Sequence, residues 1–116
     1  MLLQMYKAKI SNARITATEL HYEGSITIDE KLIKAVNILP GERVQVVNLD
    51  NGNRFETYVI VGKPGSGEIC LNGPAAHKGR AGQSVHIIAY ALMEPKEAKT
   101  FKPKLIKLNE RNRIKN

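Results

Sequence analysis

Asp50-Asn51-Gly52-Asn53 is the most restrictive stretch of this 116-residue chain. Asn-Gly favours the left-handed backbone of a tight hairpin turn. Here it separates two runs of β-formers, Val44 to Leu49 and Arg54 to Val61. Alternation along the second run puts Arg54, Glu56 and Tyr58 on one face and Phe55, Thr57 and Val59 on the other. Further β-type segments follow the same economy: Met5 to Ile10, ended by a turn at Ser11-Asn12; Arg14 to Thr18; Ser25 to Ile28; Glu68 to Leu71, ended by a turn at Asn72-Gly73-Pro74; and the near-continuous apolar run Ser84 to Leu92, expected to be a central strand. One helix stands out, from Asp29 to Val36. Asp29 or Thr27 can cap it, and Leu32, Ile33 and Val36 form an apolar stripe before Pro40-Gly41 bars continuation. A second helical turn is expected over Glu94 to Lys99. Many short strands with so little helix predict an all-β fold, a small barrel in one domain.

Composition narrows the function classes. A single cysteine, Cys70, permits no internal disulfide and suits a reducing compartment. No run suits a signal peptide or a membrane span, so a cytoplasmic protein is expected. The net charge of +7 invites a nucleic-acid reading, but residues 94–116 hold eight Lys/Arg against three Glu, which is +5 of the total. The charge therefore belongs to a tail: residues 102–116 are expected to be basic and flexible, with a β-like patch at Leu105-Ile106-Lys107-Leu108. The Gly62-to-Gly67 loop lacks the Gly-Lys-Ser/Thr and the following helix of a phosphate cradle. No His/Cys spacing suggests a metal. His77 and His86 read as structural, Cys70 as core packing, and His21 equally as a turn residue or an aid to processing.

The chemistry is concentrated at His21-Tyr22-Glu23-Gly24-Ser25. A serine hydroxyl can attack the preceding carbonyl and turn the peptide into an ester. Glycine at position 24 tolerates the unusual backbone that such a step favours, and strain there would assist it. β-Elimination of the ester and hydration then leave a pyruvoyl group, a ketone that condenses with amines and drains electrons as PLP does elsewhere. Gly-Ser alone is an ordinary turn dipeptide, and Gly65-Ser66 repeats it.

Three segments in order, His21-Tyr22-Glu23-Gly24-Ser25, Asn51 to Tyr58, and Asn72-Gly73-Pro74-Ala75-Ala76-His77, together resemble the pyruvoyl-dependent aspartate 1-decarboxylases of bacteria, from about Met5 to about Phe101. The resemblance implies a double-psi β-barrel with one or two short helices. It implies a homotetramer with active sites at subunit boundaries, and the conversion of L-aspartate to β-alanine for pantothenate synthesis. It also implies self-cleavage between Gly24 and Ser25 into residues 1–24 and 25–116, with a pyruvoyl group from Ser25 as the cofactor, and neither PLP nor metal. Ser25 would carry the Schiff base and Tyr58 would return the proton. Thr57, Asn72 and the turn Gly73-Pro74-Ala75 would contact substrate, while Arg54 and Lys9 would hold its carboxylates. Simple alternation separates Thr57 from Tyr58, so the strand must twist or bulge there, or a neighbouring subunit must use one of them. Many family members have Ala where this chain has Pro74, which has no N–H to donate.

Two other readings compete. A pyruvoyl decarboxylase for another amino acid would fit the same motifs, although Arg54 and Lys9 argue for a substrate with a second carboxylate. A basic barrel using its tail on nucleic acid would show steep salt dependence, but the chain lacks an aromatic-studded groove.

Overall fold

The structure, a computed structural model, describes residues 1–115. Eight strands and three short helices follow one another: β1 (Leu3–Arg14), β2 (Ala17–Glu19), β3 (Ser25–Asp29), α1 (Glu30–Ala35), β4 (Arg43–Asn48), β5 (Arg54–Gly62), β6 (Ile69–Asn72), a 3₁₀ helix (Gly73–Lys78), β7 (Ser84–Met93), α2 (Pro95–Ala98) and β8 (Lys104–Lys107). The strands form one sheet in the order β2-β6-β3-β5-β4-β7-β1-β8. Three pairings are parallel, β2 with β6, β3 with β5 and β8 with β1, and the rest are antiparallel. The hairpin at Asn51-Gly52 joins β4 to β5 as expected, with Gly52 at φ +77° and Val47 opposite Arg54. β7 has neighbours on both sides, β4 and β1.

The core is aliphatic, mostly Ile, Val and Leu with a few alanines. Ile10, Ile15, Ile26, Ile28, Ile69, Leu71, Val46 and Ile87 are fully buried, while Phe55 only abuts the cluster. Branched side chains pack well on pleated surfaces, which lets this many strands close on one another without aromatic filler. Helix α1 buries Leu32 and Ile33. Asp29 caps it, accepting from Lys31 N at 2.9 Å. The same buried carboxylate accepts from Gly65 N and Gly67 N, so it also pins the glycine-rich loop.

Two expectations from the sequence fail. The Ser11-Asn12 turn is not a turn: β1 runs through it with a register shift between Ile10 and Ala13, a β-bulge. Asn12 takes φ +60°, a left-handed conformation that asparagine tolerates, and its N–H donates to His86 Nδ1 at 3.2 Å. The expected flexible tail is also corrected over most of its length, although its β-like patch at Leu105 to Leu108 is met by β8. Lys104 to Lys107 pair in parallel with Ala8 to Ser11, Leu108 is buried, and Arg113 Nη1 donates to Gly65 O. Only position 116 of that tail lies outside the described residues. Asn112, 2% exposed and at φ +57°, clasps the tail to the body. Its amide accepts from Arg14 N at 2.7 Å and donates to Arg14 O and Gly67 O, each at 2.8 Å.

Two outcomes follow. Asn112→Ala strands those buried backbone groups and is expected to lower stability by about 2–4 kcal/mol, read as a drop in the urea midpoint. His86 accepts from Asn12, which needs a neutral ring. Burial, then the charges of Lys9 and Lys107, hold its pKa below the ordinary 6.5. Above that value the ring is neutral in both folded and unfolded chains. As the pH falls through it, the unfolded chain takes up a proton first. Stability is therefore expected to fall between about pH 7 and pH 5, and His86→Asn, which keeps an acceptor, should flatten that slope.

Candidate active site

Ser25 opens β3, which runs between a parallel neighbour, β5, and an antiparallel one, β6. The strand lies inside the sheet, and Ser25 is fully buried. Directly opposite it stands Asn72, the last residue of β6. Asn72 Nδ2 donates to Ser25 Oγ at 2.9 Å and to Thr27 Oγ1 at 2.9 Å, while its Oδ1 accepts from the Cys70 thiol at 3.3 Å. The Ser25 hydroxyl lies 3.4 Å from Glu23 O, its longest contact. Burial, followed by the carboxylates of Glu68 and Glu19, raises the pKa of Cys70, which keeps it a thiol and a donor.

The conformational freedom expected at Gly24 is found across the site instead. Gly24 does not adopt a positive φ, and a Cβ there would make ordinary contact with Pro74 Cδ at 3.5 Å. Gly73 takes φ +63°, and a Cβ on it would collide with Tyr22 O, with Gly24 N at 2.8 Å and with Glu23 C at 2.9 Å. Glycine is therefore required at 73, so that the backbone before Ser25 can lie against the start of the 3₁₀ helix. Pro74 sits in the first turn of that helix, where a missing N–H leaves no helical bond unmade. The far end of the same helix is clamped: Lys78 O accepts amide N–H groups from Asn48, Asn51 and Asn53 at 3.1, 3.2 and 3.4 Å. Asn51 and Asn53 belong to the hairpin turn, so that turn fixes the helix whose beginning frames the site.

A groove of about 390 Å³ opens beside Gly24, lined by Phe55, Glu56, Thr57, Tyr58, Pro74, Ala75 and Lys78. Burial alternates along β5 as the sequence predicts, yet Thr57 and Tyr58 border the same groove. No bulge is needed. β3 pairs with β5 only from Val59 onward, so the first half of β5 has β4 on one side and an open edge on the other. A groove along an open edge is reached from both faces of the strand. Tyr58 stands one residue before the Ile26–Val59 pair, 38% exposed.

The structure thus gathers Gly24, Ser25, Thr57, Tyr58, Asn72, Gly73, Pro74 and Ala75. It does not bring Arg54 or Lys9 to the same groove within one chain. Arg54 donates to Gln45 Oε1 at 2.7 Å, an oxygen that also accepts from Tyr90 OH at 2.9 Å. Lys9 borders a separate groove with Tyr6, Ser11, Ile88, Tyr90 and Leu105. Its strand β1 is three strand spacings from β5, roughly 14 Å along the sheet. Sequence reasoning missed Thr27, Cys70 and Lys78. The first two could have been found as the same-face neighbours, two residues away, of Ser25 and Asn72. Among the described residues no cluster of His, Cys, Asp or Glu is arranged to hold a metal. Among them, too, no helix is long and apolar enough to cross a membrane.

The sheet and its strand order make this a double-psi β-barrel protein, with a buried serine held by an amide beside a groove bordered by a tyrosine. The fold is matched by the crystal structure of a rationally designed protein of that barrel type, mkDPBB_sym_86, with a TM-score of 0.50 and 14% identity over 66% of this chain and 90% of that one. The chain belongs to the aspartate decarboxylase family, whose sequence model matches residues 1–115. It is 54% identical to the aspartate 1-decarboxylase of Cytophaga hutchinsonii over 98% of this chain and 99% of that protein. It is 56% identical to that of Carboxydothermus hydrogenoformans over 98% and 90%, and 51% identical to that of Acetivibrio thermocellus over 100% and 92%.

Gly73→Ala is expected to destabilise the fold by about 2 kcal/mol or more, since the strained φ alone costs roughly 1 kcal/mol and the collision adds to it. Gly41→Ala, at φ +83° but facing open space, should show the backbone cost only. Urea unfolding of the two variants side by side checks the difference.

Proposed function

We propose that this chain carries out the reaction of its family, removing the α-carboxylate of L-aspartate to give β-alanine and CO₂, and that it does so with a pyruvoyl group made from its own Ser25. The observation that carries this reading is a fully buried Ser25 whose oxygen is held by Asn72 Nδ2 at 2.9 Å. In the maturation step Ser25 Oγ bonds to the Gly24 carbonyl carbon, the Gly24–Ser25 C–N bond breaks, and the hydroxyl proton passes to the freed nitrogen. The ester then leaves as the Gly24 carboxylate with loss of the Ser25 α-proton. Water enters and ammonia departs, so chains 1–24 and 25–116 result.

The residues present fit a ketone at position 25. Asn72 Nδ2, a donor, can serve a carbonyl oxygen there as it serves the hydroxyl, and the surroundings exclude water. When formed, the group supplies an electrophile for the substrate amine and a sink for the electrons left by CO₂. The rest falls to ordinary side chains. Thr57 and the Gly73–Ala75 backbone orient the substrate in the groove, and Pro74 leaves donation to its neighbours. Tyr58 OH, at the rim, gives the proton back to the substrate carbon. Lys9 and Arg54 are the cations for the substrate carboxylates. Since neither borders the groove of its own chain, both serve the groove of a neighbouring copy, which suits a homotetramer with sites at subunit boundaries. A cytoplasmic setting suits such an enzyme. The nucleic-acid reading loses its footing because Lys104 to Lys107 are strand residues paired to β1.

Intact mass under denaturing conditions tests the maturation: two species are expected, summing to the precursor plus water minus ammonia. Ser25→Ala should stay uncut and inactive. Tyr58→Phe should be cut but lose about 10²–10⁴-fold in β-alanine formation. Release of CO₂ from a basic amino acid with aspartate inert would favour the other-substrate reading instead.

A further inference from the structure

Four polar side chains lie together between β3 and β6. Ser25 is opposite Asn72 and, two residues along, Thr27 is opposite Cys70. All four side chains are joined through one amide. Both hydrogens of Asn72 Nδ2 are used, one on Ser25 Oγ and one on Thr27 Oγ1, and Oδ1 takes the Cys70 thiol proton. No buried side-chain nitrogen or oxygen among the described residues lacks a partner.

An amide in such a place has two orientations, and they are chemically opposite for Ser25. With Nδ2 toward the serine, the amide donates, and the hydroxyl proton is held only by the long contact to Glu23 O, 3.4 Å. With Oδ1 toward the serine, the hydroxyl proton would be tied up on the amide. In that flipped state both N–H groups would also face a thiol, a weak acceptor, in a buried site. The donating thiol therefore selects the first orientation, and Thr27 Oγ1 then supplies the acceptor that the second amide N–H needs. The raised pKa of Cys70 acts in the same direction, because the donor is kept protonated.

We infer that Cys70 and Thr27 are positioning residues for self-cleavage: by fixing the Asn72 amide with its nitrogen toward Ser25, they set the rate at which Ser25 attacks Gly24. The inference rests on the self-cleavage reading above. The test follows freshly synthesised precursor by intact mass, quenched at intervals, for wild type and variants in parallel. Cys70→Val keeps volume but loses the donor, and is expected to slow cleavage about ten-fold or more. Cys70→Ser restores a donor and should return the rate to within about three-fold of wild type. Thr27→Val should be slow and Thr27→Ser near normal. Cleavage of Cys70→Val at the wild-type rate would overturn the inference, as would a Cys70→Ser protein as slow as Cys70→Val, since packing alone would then explain the loss. If wild type itself stays uncut on prolonged warming, the self-cleavage reading fails, and this inference with it.

Discussion

β3 is five residues long, and it is gripped on both sides. Its pairing with β6 sets Ser25 against Asn72, and its pairing with β5 brings Tyr58 alongside. Pairing with β6 at Ser25 itself, and with β5 from the next residue on, holds the start of the strand in place. A serine on an edge strand would be hydrated and free to rotate. Here it is dry, with its oxygen aimed by an amide. The site is thus a property of strand order more than of any single side chain. A parallel neighbour can only arrive by a crossover, and α1 with β4 supplies one between β3 and β5.

The chemistry also depends on an asymmetry in how β5 is used. Its second half is an interior strand, paired to β3, while its first half has one free edge. The same strand therefore contributes structure at Val59 and an accessible rim at Thr57 and Tyr58. Opposite that rim, Gly73 lets the segment before Ser25 approach the 3₁₀ helix to a distance that no side chain would permit. That close approach of backbone stands beside a groove whose other lining includes side chains as small as Thr57 and Ala75.

Much of this was legible in the sequence, where local chemistry decides the outcome. Asn51-Gly52 announced the hairpin, Asp29 the helix start, and the alternation of β5 the two faces of that strand. What was not legible depends on partners distant in the chain. Ser11-Asn12 has turn composition, but β7 and β8 flank the strand and turn the extra residue into a bulge. The β-like patch at Leu105 to Leu108 was legible, but the tail around it looked solvated because charge does not reveal that Leu108 and Asn112 have places to dock in the body. The demand for glycine was assigned to Gly24 by its position beside the serine. It falls on Gly73, forty-nine residues on, because only the folded chain lays one segment on the other. The roles of Cys70 and Thr27 were hidden for the same reason, although the family resemblance reached their neighbours Ser25 and Asn72.

The place of β1 bears on what a severed chain would be. Residues 1–24 include a twelve-residue strand inserted between β7 and β8, with Ala8, Ile10, Ala13 and Ile15 in the barrel interior. A break after Gly24 would convert one polypeptide into a two-component complex whose smaller member is part of the hydrophobic core. Dissociation would require the barrel to open on both sides of that strand, so the fragment would leave only by global unfolding. Refolding would then become a second-order process, dependent on concentration, where the intact precursor folds as a single molecule. Making the barrel before cutting it is, on that account, the only efficient order of assembly.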